Sequence, residues 1–311
     1  MRLWRTTLTM LIALTLCACA ANAPVPKDGA PLPSAQPPML DVYIVQSNTI
    51  VRMDAESYVA GVVAGEMPSD WPMEALKAQA ILARTYVLKF LTEKTSRYAG
   101  ADISTDIAEA QAYDADAVNG RILTAVQETA GEVLLAEDGS LPYAWFHAHS
   151  GGTTALAQES LDWHSAEPSH TKVTRGLDSD AAPDSARVWT AAFTEADFLA
   201  ACRDAGYAVT RCDDIRIGQV GASGRAVTLL VDGQEVNAAR LRISLGSTRM
   251  RSTLLTELTA EDGMIRMAGR GYGHGVGMPQ WGAYALAEDG LTAEDIALHY
   301  YSGLQIVRVW E

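Results

Sequence analysis

Cysteine is scarce in this chain. Only four occur in 311 residues, at positions 17, 19, 202 and 212. None sits in a Cys-x-x-Cys pair or at the Cys/His spacing of a zinc site, which argues against a zinc ribbon or a thioredoxin-like redox centre. Positive charge is also in short supply: 24 Lys and Arg face 38 Asp and Glu, a net charge of −14. A general nucleic-acid binder needs a basic footprint, so nucleic acid is not expected as a partner. A polysaccharide, recognised by hydrogen bonds and stacking, stays open. After the first apolar run there is no second one and no internal repeat. The run Gly271-Tyr272-Gly273-His274-Gly275 lacks the third-glycine spacing of a dinucleotide fingerprint and the Lys-Ser/Thr of a P-loop. Ser150-Gly151-Gly152 is not the Gly-x-Ser-x-Gly elbow of a serine hydrolase.

What is present begins at the N-terminus. Arg2 and Arg5 precede an apolar stretch from Leu8 to Leu16, the length of a secretory h-region and short for a membrane span. Leu16-Cys17-Ala18-Cys19 resembles a bacterial lipobox, with Cys17 an unusual neighbour. The expectation is a lipoprotein signal peptide over 1–18 and lipidation at Cys19; ordinary secretion with cleavage after an alanine is the alternative. Ala20 rather than Asp resembles an outer-membrane sorting choice if the cell has two membranes. Residues 19–39, rich in Pro and Ala, read as an extended tether, leaving 40–311 as the folded body. Export would expose Cys202 and Cys212 to an oxidising compartment. A bridge between them would contribute roughly 3 kcal/mol in the chain-entropy model; two buried thiols are the other reading.

The body mixes strand and helix signals. Val42, Ile44 and Ile50 alternate with polar residues over 40–52, a strand or hairpin. Residues 56–66 read as a short apolar helix that delivers Glu66 and stops at Pro68. Residues 72–91 give the strongest helix: Leu76, Ala80, Ala83, Val87 and Phe90 form one apolar stripe, with Ser69 and Asp70 as caps and Pro72 in the first turn. A helix leading to a strand is expected over 117–136, a strand near 143–147, an irregular segment over 156–190 and a capped helix over 194–206. Short strands follow over 213–258, with another at 264–268, and a last helix at 291–301. With apolar residues at 48%, this predicts one mixed α+β domain, arranged in two lobes around a substrate groove in its more elaborate form.

Three segments carry candidate chemistry. Glu66 ends an apolar segment and precedes Met67-Pro68; partial desolvation there would raise its pKa and suit a general acid, while a capping or salt-bridged role is the plainer reading. Five glycines occupy residues 269–277, which implies tight turns or close backbone approach. His274 among them suits hydrogen bonding or proton shuttling near neutral pH. Gln280 and Trp281 offer an amide and a flat apolar face. His147 and His149, two apart on a strand, share a face; with Asp162, His164 or His170 they match no standard zinc pattern. No metal or cofactor is assigned. His147 and Ser150 are read instead as polar substrate contacts.

Together these segments resemble the SpoIID/LytB family. The likeness runs through Tyr58 to Pro68, Glu74 to Ala80, Ala83-Arg84-Thr85-Tyr86, Gln111-Ala112-Tyr113, Thr129 to Leu134, Phe146 to Thr153, Gly269 to Ala283 and His299 to Gly303. The resemblance implies a peptidoglycan lytic transglycosylase that cuts MurNAc–GlcNAc strands, chiefly peptide-stripped ones, to 1,6-anhydromuramoyl ends. Glu66, the glutamate of Glu-Met-Pro, would be the acid. Arg84, His147, Ser150, His274, Gln280 and Trp281 would bind substrate. LytB-type members imply the alternative: a non-catalytic wall-binding enhancer of an N-acetylmuramoyl-L-alanine amidase. Partners would be glycan strands, a cell-wall amidase and the membrane through the lipid anchor. Pro279 stands where family members often carry Ser. The zinc of some sporulation members is not carried over, because no cysteine lies near 147–170.

Overall fold

The computed structural model describes residues 34–311. The expected signal peptide, the expected lipidation site Cys19 and most of the expected tether lie outside the described residues. Ser34 already pairs with Trp310, its amide donating to the Val309 carbonyl at 2.8 Å.

Strands β1 (Met39–Ile44) and β2 (Thr49–Asp54) form the expected hairpin, in register from Met39↔Asp54 to Ile44↔Thr49. Asn48 takes φ 54° in its turn, a conformation Asn tolerates better than most residues. Asp54 ends the hairpin and caps α1 (Ala55–Glu66), accepting the Ser57 amide. This short helix is buried on nearly every side, so packing rather than amphipathic patterning holds it. The next helix, α2 (Met73–Glu93), buries the expected Leu76, Ala80, Ala83, Val87 and Phe90, and also Ile81, Leu82, Arg84, Thr85 and Leu88. Its alanines let elements approach from several sides, so the single stripe becomes a central helix. Pro72 is its N-cap without a side-chain hydrogen bond; Ser69 and Asp70 do not cap it.

Strand β3 (Ile103–Ser104) runs parallel to β1. Asn119 caps α3 (Gly120–Glu128), which leads into β4 (Glu132–Ala136) as the sequence predicted. Of the strand expected near 143–147 only β5 (Phe146–His147) forms. The stretch 156–190 is mostly irregular, with one-turn helices α4 (Ala157–Ser160) and α5 (Asp184–Arg187).

A second apolar cluster, built around Phe193, Phe198, Leu229, Val231, Leu241 and Met250, is separate from the first. It is enclosed by β6 (Val188–Thr194), α6 (Glu195–Asp204), β7 (Ile215–Ile217), β8 (Thr228–Val231), β9 (Gln234–Asn237), α7 (Ala238–Ser244), β10 (Leu255–Glu261) and β11 (Met264–Arg270). The two sheets have orders β7-β8-β9 and β10-β11-β6. The sequence reading missed α7. The chain then returns to the first cluster. Strand β12 (Met278–Pro279) pairs in parallel with β5, α8 (Gln280–Glu288) and α9 (Ala293–His299) pack on α2, and β13 (Leu304–Arg308) closes on β4. The fold is mixed α+β, built from several small sheets. Each fully buried Leu, Ile or Phe contributes about 1.5–3 kcal/mol of hydrophobic stabilisation.

Candidate active site

Glu66 is the last residue of α1. The helix ends there because Met67 turns extended, φ −134° and ψ 141°, ahead of Pro68. The carboxyl is half-buried, and its two oxygens have different partners. Oε1 accepts the Ala112 amide at 2.8 Å; Oε2 accepts from the Gln280 side-chain amide at 3.2 Å. Desolvation raises its pKa above the usual carboxyl range, and the two donors act in the opposite direction. Its place at the negative end of the α1 dipole disfavours the anion further.

Segment 111–113 reaches Glu66 because α1 ends in a glycine one residue earlier. A Cβ on Gly65 would lie 2.7 Å from the Tyr113 nitrogen. Gln280 arrives from the other side. The register of β12 on β5 sets Pro279 beside His147, and Gln280 follows as the first residue of α8. Pro279 caps that helix without a side-chain acceptor, where a serine could supply one. The Trp281 amide instead donates to the Ala148 carbonyl at 3.1 Å. Trp281 packs with Trp71 at 4.5 Å between ring centroids and with Tyr284 at 5.3 Å. This aromatic group lies close in sequence to both Glu66 and Gln280.

The histidines behave differently from a proton relay. His147 is buried; its Nδ1 hydrogen-bonds the Val276 carbonyl at 3.1 Å and its Nε2 has no partner. Desolvation, then the neighbouring His274 and Arg225, hold it well below the ordinary histidine value. The His274 ring lies 5.6 Å away, and its Nδ1 accepts the Val276 amide. Desolvation, with Arg242 and Arg225 nearby, pushes His274 down to about 3. Both rings are therefore neutral at physiological pH. Of the two roles expected for His274, hydrogen bonding is the one its surroundings favour: the neutral ring accepts the Val276 amide through Nδ1.

Two expectations are corrected. Arg84 does not face a substrate. It is fully buried, forks onto Glu56 at 2.9 and 2.6 Å, and donates to the Glu132 carbonyl at 2.9 Å. Glu56 also accepts from Gly131 and Trp310, so Arg84 ties α1 and α2 to the C-terminus. Ser150 is likewise fully buried. Its amide donates to Asp178 at 2.9 Å and its hydroxyl donates to the same carboxylate. It organises a turn and presents no group to a ligand. The structure thus brings Glu66, Gln280 and Trp281 together with His147 and His274 nearby, and removes Arg84 and Ser150. Cys202 and Cys212 are free thiols, both buried in the second cluster; the bridge between them is not formed.

Several residues around the site carried no assigned role in the sequence reading. Ala112 acts through its backbone amide, which no side-chain pattern reveals. Trp71 lies between two helical segments, and its signal was only its closeness to Glu66. Asp178 sits in the irregular stretch, where nothing marked it.

A family model described as stage II sporulation protein (SpoIID) matches residues 43–135, the part that contains Glu66. The stage II sporulation protein D of Bacillus amyloliquefaciens is 29% identical over 296 residues, 90% of this chain and 82% of that protein. Its Bacillus subtilis counterpart is 29% identical over 294 residues, 89% of this chain and 81% of that protein. The amidase enhancer of Bacillus subtilis is 28% identical over 291 residues, but this chain spans 39% of its length. The chain is similar to the SpoIID/LytB family, through the family model over residues 43–135 and through these relatives.

Proposed function

We propose that the protein is a peptidoglycan lytic transglycosylase with Glu66 as its single acid and base. The observation that carries this reading is the Glu66 carboxyl: half-buried, raised in pKa by desolvation, and held between two amide donors. A raised pKa keeps a proton available for the glycosidic oxygen between N-acetylmuramic acid and N-acetylglucosamine. As that bond breaks, the Ala112 and Gln280 amides stabilise the carboxylate left behind. The carboxylate then takes the proton of the muramoyl 6-hydroxyl as that oxygen closes on C1. The product is a 1,6-anhydromuramoyl end; no water is consumed, and no second catalytic carboxylate is needed. The faces of Trp281 and Tyr284 offer sugar rings an apolar surface.

The similarity to an amidase enhancer supports a second reading, in which the protein binds wall and stimulates a separate amidase. The raised Glu66 carboxyl favours the enzyme, because an enhancer has no use for it. In either case the site of action is outside the cytoplasm, with Cys19 as lipid anchor and residues 19–39 as tether. Metabolic labelling with a fatty acid, lost in Cys19→Ala, tests the anchor. Among the described residues no helix is long and apolar enough to cross a membrane.

The deciding experiment digests intact and amidase-stripped peptidoglycan with the purified protein and with Glu66→Gln, reading products by mass spectrometry. Anhydromuramoyl ends that fall by at least about 100-fold in the variant are expected. Reducing ends would mean water is the acceptor. Binding without cleavage on both substrates would favour the enhancer.

A further inference from the structure

Three large aromatic side chains stand outside both apolar clusters. Tyr143, Trp145 and Trp163 are each half-buried, and none belongs to either cluster or packs against one. They come from two segments, the run before β5 and the irregular stretch 156–190. Their ring centroids form a near-equilateral triangle with sides of 4.9, 5.1 and 5.4 Å. Tyr143 and Trp145 stack at 10° between planes, and Trp163 crosses them at 75° and 84°. The tight stack leaves no gap for a cation, and Lys89 already stands 4.6 Å from the Tyr143 centroid. The group is therefore no aromatic cage for a quaternary ammonium ligand. Trp163 meets no parallel ring among the described residues, so its indole plane is not capped by another aromatic. The polar tips differ. Tyr143 donates its hydroxyl to Glu93 at 2.5 Å, and Trp163 donates its indole N–H to the Ala166 carbonyl at 2.9 Å. The Trp145 indole N–H meets no acceptor among the described residues and is not one of the buried orphan donors, so it faces solvent.

An aromatic patch that serves no core, with a free donor at its rim, marks an interaction surface. A pyranose ring is its complement, with an apolar face of C–H groups and a rim of hydroxyl and acetamido acceptors. The net charge of −14 disfavours the other flat ligand, a base on its phosphate chain. We infer that Tyr143, Trp145 and Trp163 form a second glycan-binding surface, additional to the Glu66 site, on which an N-acetylhexosamine ring of a wall strand stacks. The inference rests on the glycan reading above. One strand pair joins the surface to the Glu66 site. The Trp145 carbonyl accepts the Met278 amide at 3.1 Å. Gln280, two residues further on, reaches the Glu66 carboxyl at 3.2 Å. Chain reach thus places the Trp145 carbonyl within roughly 20 Å of that carboxyl, inside the length of a strand of several sugars. A surface of this kind holds a long strand on the protein while one of its bonds lies at Glu66.

Binding is measured in the full chain carrying Glu66→Gln, so that cleavage does not interfere. Its seven tryptophans are labelled at the indole nitrogen, and the N–H signals are assigned by single Trp→Phe variants. The probes are the β-1,4-linked N-acetylglucosamine hexamer, purified wall glycan strands and phosphatidylglycerol vesicles. With the glycan strands, the Trp145 and Trp163 signals should move together with Trp281. Trp189 and Trp310, whose indoles donate to Ser252 and Glu56, should stay in place. Because the shifts are read with the surface intact, a variant that fails to fold does not obscure them. Trp145→Ala and Trp163→Ala should each weaken strand binding by about tenfold, and Trp163→Phe, which keeps a ring face, should recover part of the loss. A shift at Trp281 with none at Trp145 and Trp163 would overturn the proposal and leave the glycan reading standing. Shifts at Trp145 and Trp163 with vesicles but not with glycan would assign the patch to a membrane interface and overturn it as well. If the Glu66→Gln parent bound neither glycan, the glycan reading itself would fall, and this surface with it.

Discussion

At the scale of single residues, Glu66 couples function to stability through its proton. Its folded pKa lies above the ordinary value, so the folded state holds the proton more tightly than the unfolded chain. Below the unfolded value both states are protonated and the group is neutral in its effect. As pH rises through the unfolded value and towards the folded one, the folded protein loses stability. Glu66→Gln should therefore raise the melting temperature at neutral pH, with the gain shrinking as the buffer falls through the ordinary carboxyl range; calorimetry across pH measures this. Gln280→Ala acts in the opposite sense on the carboxyl. Removing a donor to the anion should raise the Glu66 pKa further, seen as an upward shift in a carboxyl NMR titration. Arg84 gives a contrasting result. Arg84→Leu leaves the partly buried Glu56 without its cation and should cost about 3 kcal/mol in urea unfolding, while the molecules that remain folded keep whatever glycan binding the parent shows. The two cysteines make a simpler case. Burial pushes Cys202 up to about 12 and Cys212 up to about 11, so native reduced protein should react slowly with a thiol reagent and rapidly once unfolded.

At the scale of elements, the close approach of α1 to segment 111–113 decides whether Glu66 is held. Gly65→Ala would set a methyl 2.7 Å from the Tyr113 nitrogen and 2.9 Å from the Ala112 carbonyl carbon. The segment must retreat, lengthening the Ala112–Glu66 hydrogen bond. A cost of about 1–3 kcal/mol and loss of strand cleavage are expected together, and a thermal melt beside the product assay separates them. This region was also the most legible in the sequence. The apolar run over 56–66 and the stop at Pro68 located both the helix and its terminal glutamate. Legibility failed where an element depends on partners distant in sequence. Helix α8 begins three residues after the glycine-rich run of 269–277 and was given no element in the sequence, because its first turn is anchored by the Ala148 carbonyl, 133 positions away from Trp281. Helix α7 is only seven residues, too short for periodicity to stand out. Arg84 was misplaced for a related reason: a motif shared with a family marks that a residue matters and does not say whether it serves the substrate or the core. The hairpin turns Asp232-Gly233 and Asp262-Gly263, with φ 45° and 82°, then 53° and 70°, were readable from the Asp-Gly signal.

At the scale of the whole molecule, the question is what joins the two apolar clusters beside the site. Arg225 stands at that junction. Its neighbour Ala226 belongs to the second cluster, while its guanidinium donates to the carbonyls of Thr153 at 2.7 Å and Ser150 at 2.6 Å. Gly275 of the glycine-rich run lies against the same guanidinium, where no side chain would fit. Glu159 reinforces the contact by accepting the amides of Ala222 and Ser223 at 2.7 and 3.2 Å. The Arg225 side chain is fully buried, and burial lowers its pKa to about 10, so it still carries its charge at neutral pH. Arg225→Met keeps the bulk and removes the donors. Each carbonyl left unpaired costs about 1–3 kcal/mol, and the turn that aligns His147, Ser150 and the glycine-rich run loses its clamp. The variant should unfold at lower urea, and the His149 and Tyr272 amides, which donate to each other's carbonyls, should exchange faster with solvent. A double-mutant cycle with Glu159→Gln distinguishes a shared clamp from two separate contacts. Coupling above about 0.5 kcal/mol is expected, because both side chains hold the loop 221–225 against the segment 150–159. Strict additivity would mean that each acts alone and that the junction is made elsewhere.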